Sequence, residues 1–132
     1  VYPVRAATEH PIYENQRVYQ FVDYLRDGSD AAIALAGERM IAAHHSYSRC
    51  GIGTDETDLL VELARTQGST VAGAKITGGG SGGTVCVLVK KLDEERVIAS
   101  IRASYTAKTG ITPRLIRGTS PGAAATPVRT AG

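Results

Sequence analysis

Residues 73–89 read GAKITGGGSGGTVCVLV, and how the glycine run inside this stretch is taken decides the fold. Five of the six residues from Gly78 to Gly83 are glycine, with apolar, strand-like sequence on both sides. Glycine this dense is costly to order, so the run marks a place where bare backbone is needed. A tight turn, a phosphate cradle and a floppy linker are the candidates. Residues 70–77 (TVAGAKIT) and 84–90 (TVCVLVK) each read as a strand, nearly all apolar and so expected to be buried. Two strands joined by so short a loop form an antiparallel hairpin.

Upstream of the hairpin the period is helical. VYPVRA at the start reads as a short extended segment. Thr8 is expected to cap a helix from Glu9, with Pro11 inside the tolerated first turn and Val18, Val22 and Leu25 recurring at helical spacing. Asp27-Gly28 stops it. A second helix starts at Ser29 or Asp30, with Ile33, Ala36, Met40, Ala43 and Tyr47 as one stripe. Gly37 beside that stripe fits either close packing or a weak point in the helix. SRCGIGT breaks the pattern, and a third helix follows Thr54. Asp55, Glu56 and Asp58 sit near its positive end, Leu59, Leu60, Leu63 and Ala64 form its inner face, and Gln67-Gly68 closes it. Downstream, a fourth helix is expected over 93–108, with Val97, Ile101 and Tyr105 inward and Gly110 as its stop. TPRLIRG reads as a last strand.

The resulting order is strand, three helices, strand, strand, helix, strand. That is an α+β fold with an antiparallel sheet and helices packed on one face. One domain over residues 1–118 and a flexible tail over 119–132 are expected, the tail being small, polar and Pro-containing. The 132-residue length suits a single core. With one Phe, six Tyr and no Trp, that core rests on Val, Ile, Leu and Ala.

Composition excludes several function classes. A net charge of +2, with no basic run, argues against nucleic acid or an anionic membrane as partner. No apolar run approaches the ~20 residues of a bilayer span, and the start carries no signal-peptide pattern. Cys50 and Cys86 lack CxxC spacing and read as reduced thiols, which points to a cytoplasmic protein. The chain opens at Val1 without a Met, so we expect a fragment with material removed in front of it.

The glycine run fits three known loops only in part. A Walker A loop needs GxxxxGK[ST] entering a helix, and here there is no Lys and a strand follows. Gly78, Gly80 and Gly83 meet GxGxxG literally, but that fingerprint also must enter a helix. Gly78-x-Gly80-x-x-Gly83-x-Val85 matches the protein-kinase glycine loop, and Lys90 mimics its lysine. Lys90, however, follows Val85 in one strand, and no HRD or DFG follows. What survives is a loop between antiparallel strands. It is either an anion nest of backbone N–H groups aided by Thr77, Ser81 and Thr84, or a wide hairpin without a ligand.

Four stretches carry a resemblance. GAKITGGGSGGTVCVL resembles the third signature motif of the GHMP family of small-molecule kinases. RAATEHPIYENQRV, GERMIAAHHSYSRCGIGTDETDLLVELA and RLIRGTSPGA resemble, in the same order, further segments of its galactokinase and L-arabinokinase branch. The resemblance covers nearly the whole chain. Ser81 stands where typical galactokinases carry an aromatic, and GGGSGGT looks more like arabinokinase.

The resemblance implies the C-terminal domain of a sugar kinase, a ferredoxin-like plait. It implies γ-phosphoryl transfer from ATP with magnesium to a monosaccharide, giving a sugar 1-phosphate. It implies that Thr77, Gly78, Gly79, Gly80, Ser81, Gly82 and Gly83 shape the substrate and phosphate pocket. The family's ATP loop, PxxxGLSSS, is not in this chain, nor is the N-terminal sugar-binding segment or a base. No catalytic or metal-binding residue is therefore assigned here. ATP and magnesium belong to the parent enzyme, with none tightly bound by this fragment. The implied partners are an N-terminal GHMP kinase lobe and a monosaccharide, and an uncovered lobe face would favour self-association. A freestanding ligand-binding or assembly domain without catalysis is the alternative.

Other residues carry plainer expectations. His44 and His45, about 100° apart on a helix, cannot share a metal, and His44 is read as a satisfied histidine at a helix end. Asp55 and Asp58 are explained by their helix start. Cys86, mid-strand, is read as an inert core thiol. Lys75 is read as a solvated strand lysine, and Arg5, Glu14, Asn15 and Arg17 as a structural network.

Overall fold

The computed structural model describes residues 2–78 and 83–118. Gly79, Gly80, Ser81, Gly82 and the expected tail over 119–132 lie outside the described residues. The elements run α1 (Val4–Asp27), α2 (Asp30–Arg49), α3 (Asp55–Arg65), β1 (Val71–Thr77), β2 (Thr84–Val89) and α4 (Glu94–Thr109). Short 3-10 turns at Gly68–Thr70 and Lys91–Asp93 lead into β1 and α4. The architecture is α+β, as the sequence indicated.

Local chemistry fixes the helix ends. The Ser29 hydroxyl accepts from the Ala32 N–H at the start of α2. At α3, Thr54 and Thr57 form a reciprocal capping box, and the Thr57 side chain is fully buried. Such a cap contributes about 1 kcal/mol. Gly28 and Gly110, in the left-handed region at φ 70° and 73°, end α1 and α4.

β1 and β2 pair antiparallel from Thr77↔Thr84 to Val71↔Val89. Ala74 and Ile76 with their partners Val87 and Val85 share one face. There Ala74 joins Val61, Leu63, Ala64, Val71, Val97, Ile101 and Tyr105 in the core, with Val85, Val87 and Val89 packed against it. α3 and α4 supply the helical side of this core. The opposite face of the hairpin carries Lys75 paired with Cys86, and Thr77 paired with Thr84.

α2 approaches β1 without any side chain between the backbones. A Cβ on Gly37 would stand 1.8 Å from the Ala72 carbonyl oxygen, and one on Gly73 would stand 2.5 Å from the Gly37 Cα. The pairing of the strands shifts between Val71 and Gly73, so Ala72 is a bulged residue, and its carbonyl is the atom that meets Gly37. Gly37 is thus a packing glycine. Farther along, the Ile76 N–H is met by His44 of α2, so this helix covers β1 where a further strand would otherwise pair.

Five expectations are corrected. The opening segment is helix from Val4, not strand, and Pro11 sits two turns inside it. The Thr8 hydroxyl donates to the Val4 carbonyl within that helix instead of capping it. TPRLIRG pairs with no strand among the described residues; Pro113 lacks an N–H, and Arg117 holds the segment to α4 through two bonds to Glu95 at 2.5 and 2.8 Å. β2 is half-buried to exposed, and Cys86 is exposed instead of core. Val18, Val22 and Leu25 are exposed as well. The partly buried side of α1 is His10, Glu14, Arg17, Phe21 and Tyr24, because polar partners on α2 and β1 orient the helix. No helix among the described residues is long and apolar enough to cross a membrane.

Candidate functional site: the glycine hairpin and its supports

The hairpin loop leaves β1 at Thr77 and rejoins β2 at Thr84. Gly78 and Gly83, at its two ends, have φ of 75° and 82°. A Cβ at either position would meet nothing within 4 Å. Glycine is required there by the sign of φ, not by crowding. Thr77, Gly78, Gly83 and Thr84 are all exposed, so the ends of the loop are open to solvent. The structure brings these four together; the inner four residues lie outside its description.

α2 supports the loop from below. The Tyr47 hydroxyl donates to the Gly78 carbonyl at 3.4 Å. The His10 ring of α1 stands edge-on to the Tyr47 ring, centroids 4.8 Å apart at 84°. His10 Nδ1 and the buried Ser46 hydroxyl are 2.9 Å apart. A chain of contacts thus runs from α1 through α2 to the first glycine of the loop.

His44 is satisfied on both nitrogens, as the plain reading expected. Its Nδ1 accepts from the Ile76 N–H at 3.4 Å, so the proton sits on Nε2, which donates to Asp58 at 3.1 Å. Burial lowers its pKa, against the opposing pull of Asp58, and the neighbouring His45 and Lys75 side chains lower it further. The ring is a neutral structural bridge between α2, α3 and β1.

Lys75 is not a free strand lysine. Its Nζ lies 3.1 Å from Glu14, whose other oxygen accepts from Arg17 at 3.1 Å. Burial alone would raise the Glu14 carboxyl, but Lys75 and Arg17 together hold it below the ordinary carboxylate range. Two of the four residues expected in a network, Glu14 and Arg17, are in it. Arg5 instead pairs with Glu9 on the exposed side of α1, and Asn15 is exposed. His10 and Ser46 were not singled out from the sequence, and Tyr47 was read only as part of the α2 stripe. The signal for His10 was its place in the 10, 14, 17, 21 spacing of one helix face.

Among the described residues no cluster of three or more His, Cys, Asp or Glu side chains is placed to hold a metal ion. The family model described as GHMP kinases C terminal matches residues 30–107, from the start of α2 to near the end of α4. The chain belongs to the GHMP kinase family. Its match is to the C-terminal part of those kinases, and the hairpin lies in the second half of the matched stretch.

Relatives agree with that placement. The L-arabinokinase of Arabidopsis thaliana is 43% identical over 92% of this chain and 13% of its own length. A galactokinase of Mannheimia succiniciproducens is 41% identical over 77% of this chain and 26% of its own length. In three dimensions the GHMP domain superposes on Lactococcus lactis galactokinase, solved with galactose, with a TM-score of 0.74 at 26% identity, covering 83% of this chain and 28% of that one. This chain therefore spans between an eighth and three tenths of the length of these relatives.

Proposed function

We propose that this GHMP domain acts as the C-terminal lobe of an ATP-dependent sugar kinase and contributes the glycine hairpin to the active site. The observation that carries the reading is the 43% identity to an L-arabinokinase across 92% of the chain, glycine run included. The reaction is phosphoryl transfer to a monosaccharide, giving a sugar 1-phosphate. Thr77, Gly78, Gly79, Gly80, Ser81, Gly82 and Gly83 bind substrate and phosphate. The exposed, positive-φ backbone at Gly78 and Gly83, beside the exposed Thr77, supports this role.

Phosphoryl transfer depends mainly on positioning and on neutralising phosphate charge. The described residues offer donors for a phosphate but no carboxylate cluster for magnesium, so magnesium and the catalytic groups are assigned to an N-terminal lobe. That lobe is the proposed partner, and the exposed apolar side of α1 is the proposed docking face. Ile12 and Tyr19, seven residues apart on that helix, are 66% and 67% exposed.

The test is a chimera in which this chain replaces the matching segment of the Arabidopsis L-arabinokinase. Arabinose-dependent ATP consumption should survive the exchange, and Gly78→Val and Gly83→Val should each lower kcat at least tenfold. A folded chimera with no turnover sinks the lobe assignment. Glycine variants with full activity sink the hairpin's role.

A further inference from the structure

Tyr47 ties the first glycine of the loop to α2, and the tyrosine is itself held from two sides. Its own carbonyl accepts from the Cys50 and Ile52 N–H groups at 2.9 and 3.3 Å, which fixes its backbone in the turn closing α2. The His10 ring meets its ring at 84°, an edge-to-face geometry that favours one tilt of the phenol. His10 is pinned in turn by the buried Ser46 hydroxyl, 2.9 Å from Nδ1. The half-buried phenol ends with its hydroxyl on the Gly78 carbonyl. Packing asks only for the ring. The hydroxyl has no other partner among the described residues.

The bonded carbonyl matters because of what shares its peptide. In a trans peptide the C=O and the N–H point in opposite directions. A carbonyl drawn towards α2 therefore turns the N–H of the same peptide away from α2. Gly78, at φ 75°, has no Cβ to resist rotation of this peptide. Turned over, the peptide would offer an anion an oxygen in place of a donor. We propose that Tyr47 is a positioning residue for phosphoryl transfer. Its hydroxyl holds the first peptide of the glycine loop with the donor outward, and His10 acts through it by holding the phenol. The proposal rests on the reading that the loop serves a phosphate; the hold on Gly78 does not. One neutral hydrogen bond sets the scale, so loss of the hydroxyl is read as roughly a three- to tenfold effect.

The experiment has two arms. In the full chain the carbonyl carbon resonance of Gly78 is followed. Tyr47→Phe keeps the ring and its packing and removes only the hydroxyl. That resonance should move, while the melting temperature stays near the parent's, since water replaces the bond at an exposed carbonyl. The second arm uses the chimera with the Arabidopsis L-arabinokinase. There Tyr47→Phe should lower kcat about three- to tenfold, with KM for arabinose and for ATP unchanged. His10→Ala should lower kcat in the same way. Added to Tyr47→Phe it should cost nothing further, because both act through one hydroxyl. Full kcat in Tyr47→Phe, a defect confined to KM, an unmoved Gly78 resonance, or additive losses in the double variant would each overturn the proposal. With a chimera that is inactive before any substitution, the lobe assignment falls and the phosphate role of this peptide falls with it. The Gly78 resonance then still decides whether Tyr47 holds the loop.

Discussion

Gly37→Ala is the substitution whose outcome depends most directly on how this domain is packed. On an exposed helix face the change would stabilise the chain by about 1 kcal/mol, because alanine is the better helix former. At Gly37 the new methyl would lie 1.8 Å from the Ala72 oxygen and 2.3 Å from its carbon, where ordinary contact begins at 3.4 Å. Both atoms are backbone, so no rotamer change relieves the clash. α2 and β1 must part, and a gap of under 1 Å already forfeits a quarter to a half of each contact along the seam. Overpacking of this kind costs about 3 kcal/mol or somewhat more, against the ~1 kcal/mol gained in propensity. A net loss near 2–3 kcal/mol follows, or about 10 °C in melting temperature for a chain of this size. Circular dichroism melts and urea titrations measure it, with an unchanged m-value showing that the native fold persists. Leu35→Ala, at a 38% exposed position on the same helix, is the control and should shift the melt little. Gly73→Ala should be costly too, and the double variant less so than the sum, because both methyls enter one gap. A Gly37→Ala chain that melts at or above the parent would refute the close approach.

Two further outcomes follow from the same structure. His44 has its pKa lowered by burial, so below its ordinary value of 6.5 the unfolded chain takes up a proton that the folded chain resists. Its stabilising contribution is complete above that value and is lost as the pH falls from there through the folded pKa. The melting temperature should therefore drop between pH 7.5 and 5.5, and His44→Asn, which keeps an acceptor near the Ile76 N–H without titrating, should melt lower but with a flatter pH profile; an unchanged slope in that variant would disprove the assignment. Self-association of the chain through α1 should be visible by sedimentation, and Ile12→Lys with Tyr19→Lys should remove it; an unaltered sedimentation profile points to another face.

The sequence was most informative where local chemistry decides the structure. Thr54, Ser29 and Gly110 mark helix ends because a hydroxyl or a left-handed glycine is needed there whatever lies nearby. The hairpin was legible from the change of period on either side of the glycines. The register of α1 was not. Its apolar residues Val18, Val22 and Leu25 suggested one face, yet Glu14 finds Lys75 sixty-one residues away and His10 finds Ser46 thirty-six residues away. Such long-range polar pairs leave no periodic trace. Pro11 misled for a related reason: the sequence rule places it in a first turn, whereas the turns before it are held by contacts such as the Cys50 thiol to the Ala6 carbonyl. The loop ends of the candidate site were readable, but the hydroxyl of Tyr47 beneath Gly78 was not, since its place in the α2 stripe read only as packing.

The crossing of Gly37 over Gly73 also limits how the domain can move. Sliding α2 along the hairpin by one turn would bring Ile33 or Ile41 to a place where even a methyl group does not fit. Shear between helix and strand is therefore blocked in both directions. Tyr47 lies ten residues from that crossing on the same helix and touches Gly78. The glycine loop is thus indexed to the crossing through a single helix, and its position is set by where two bare backbones meet.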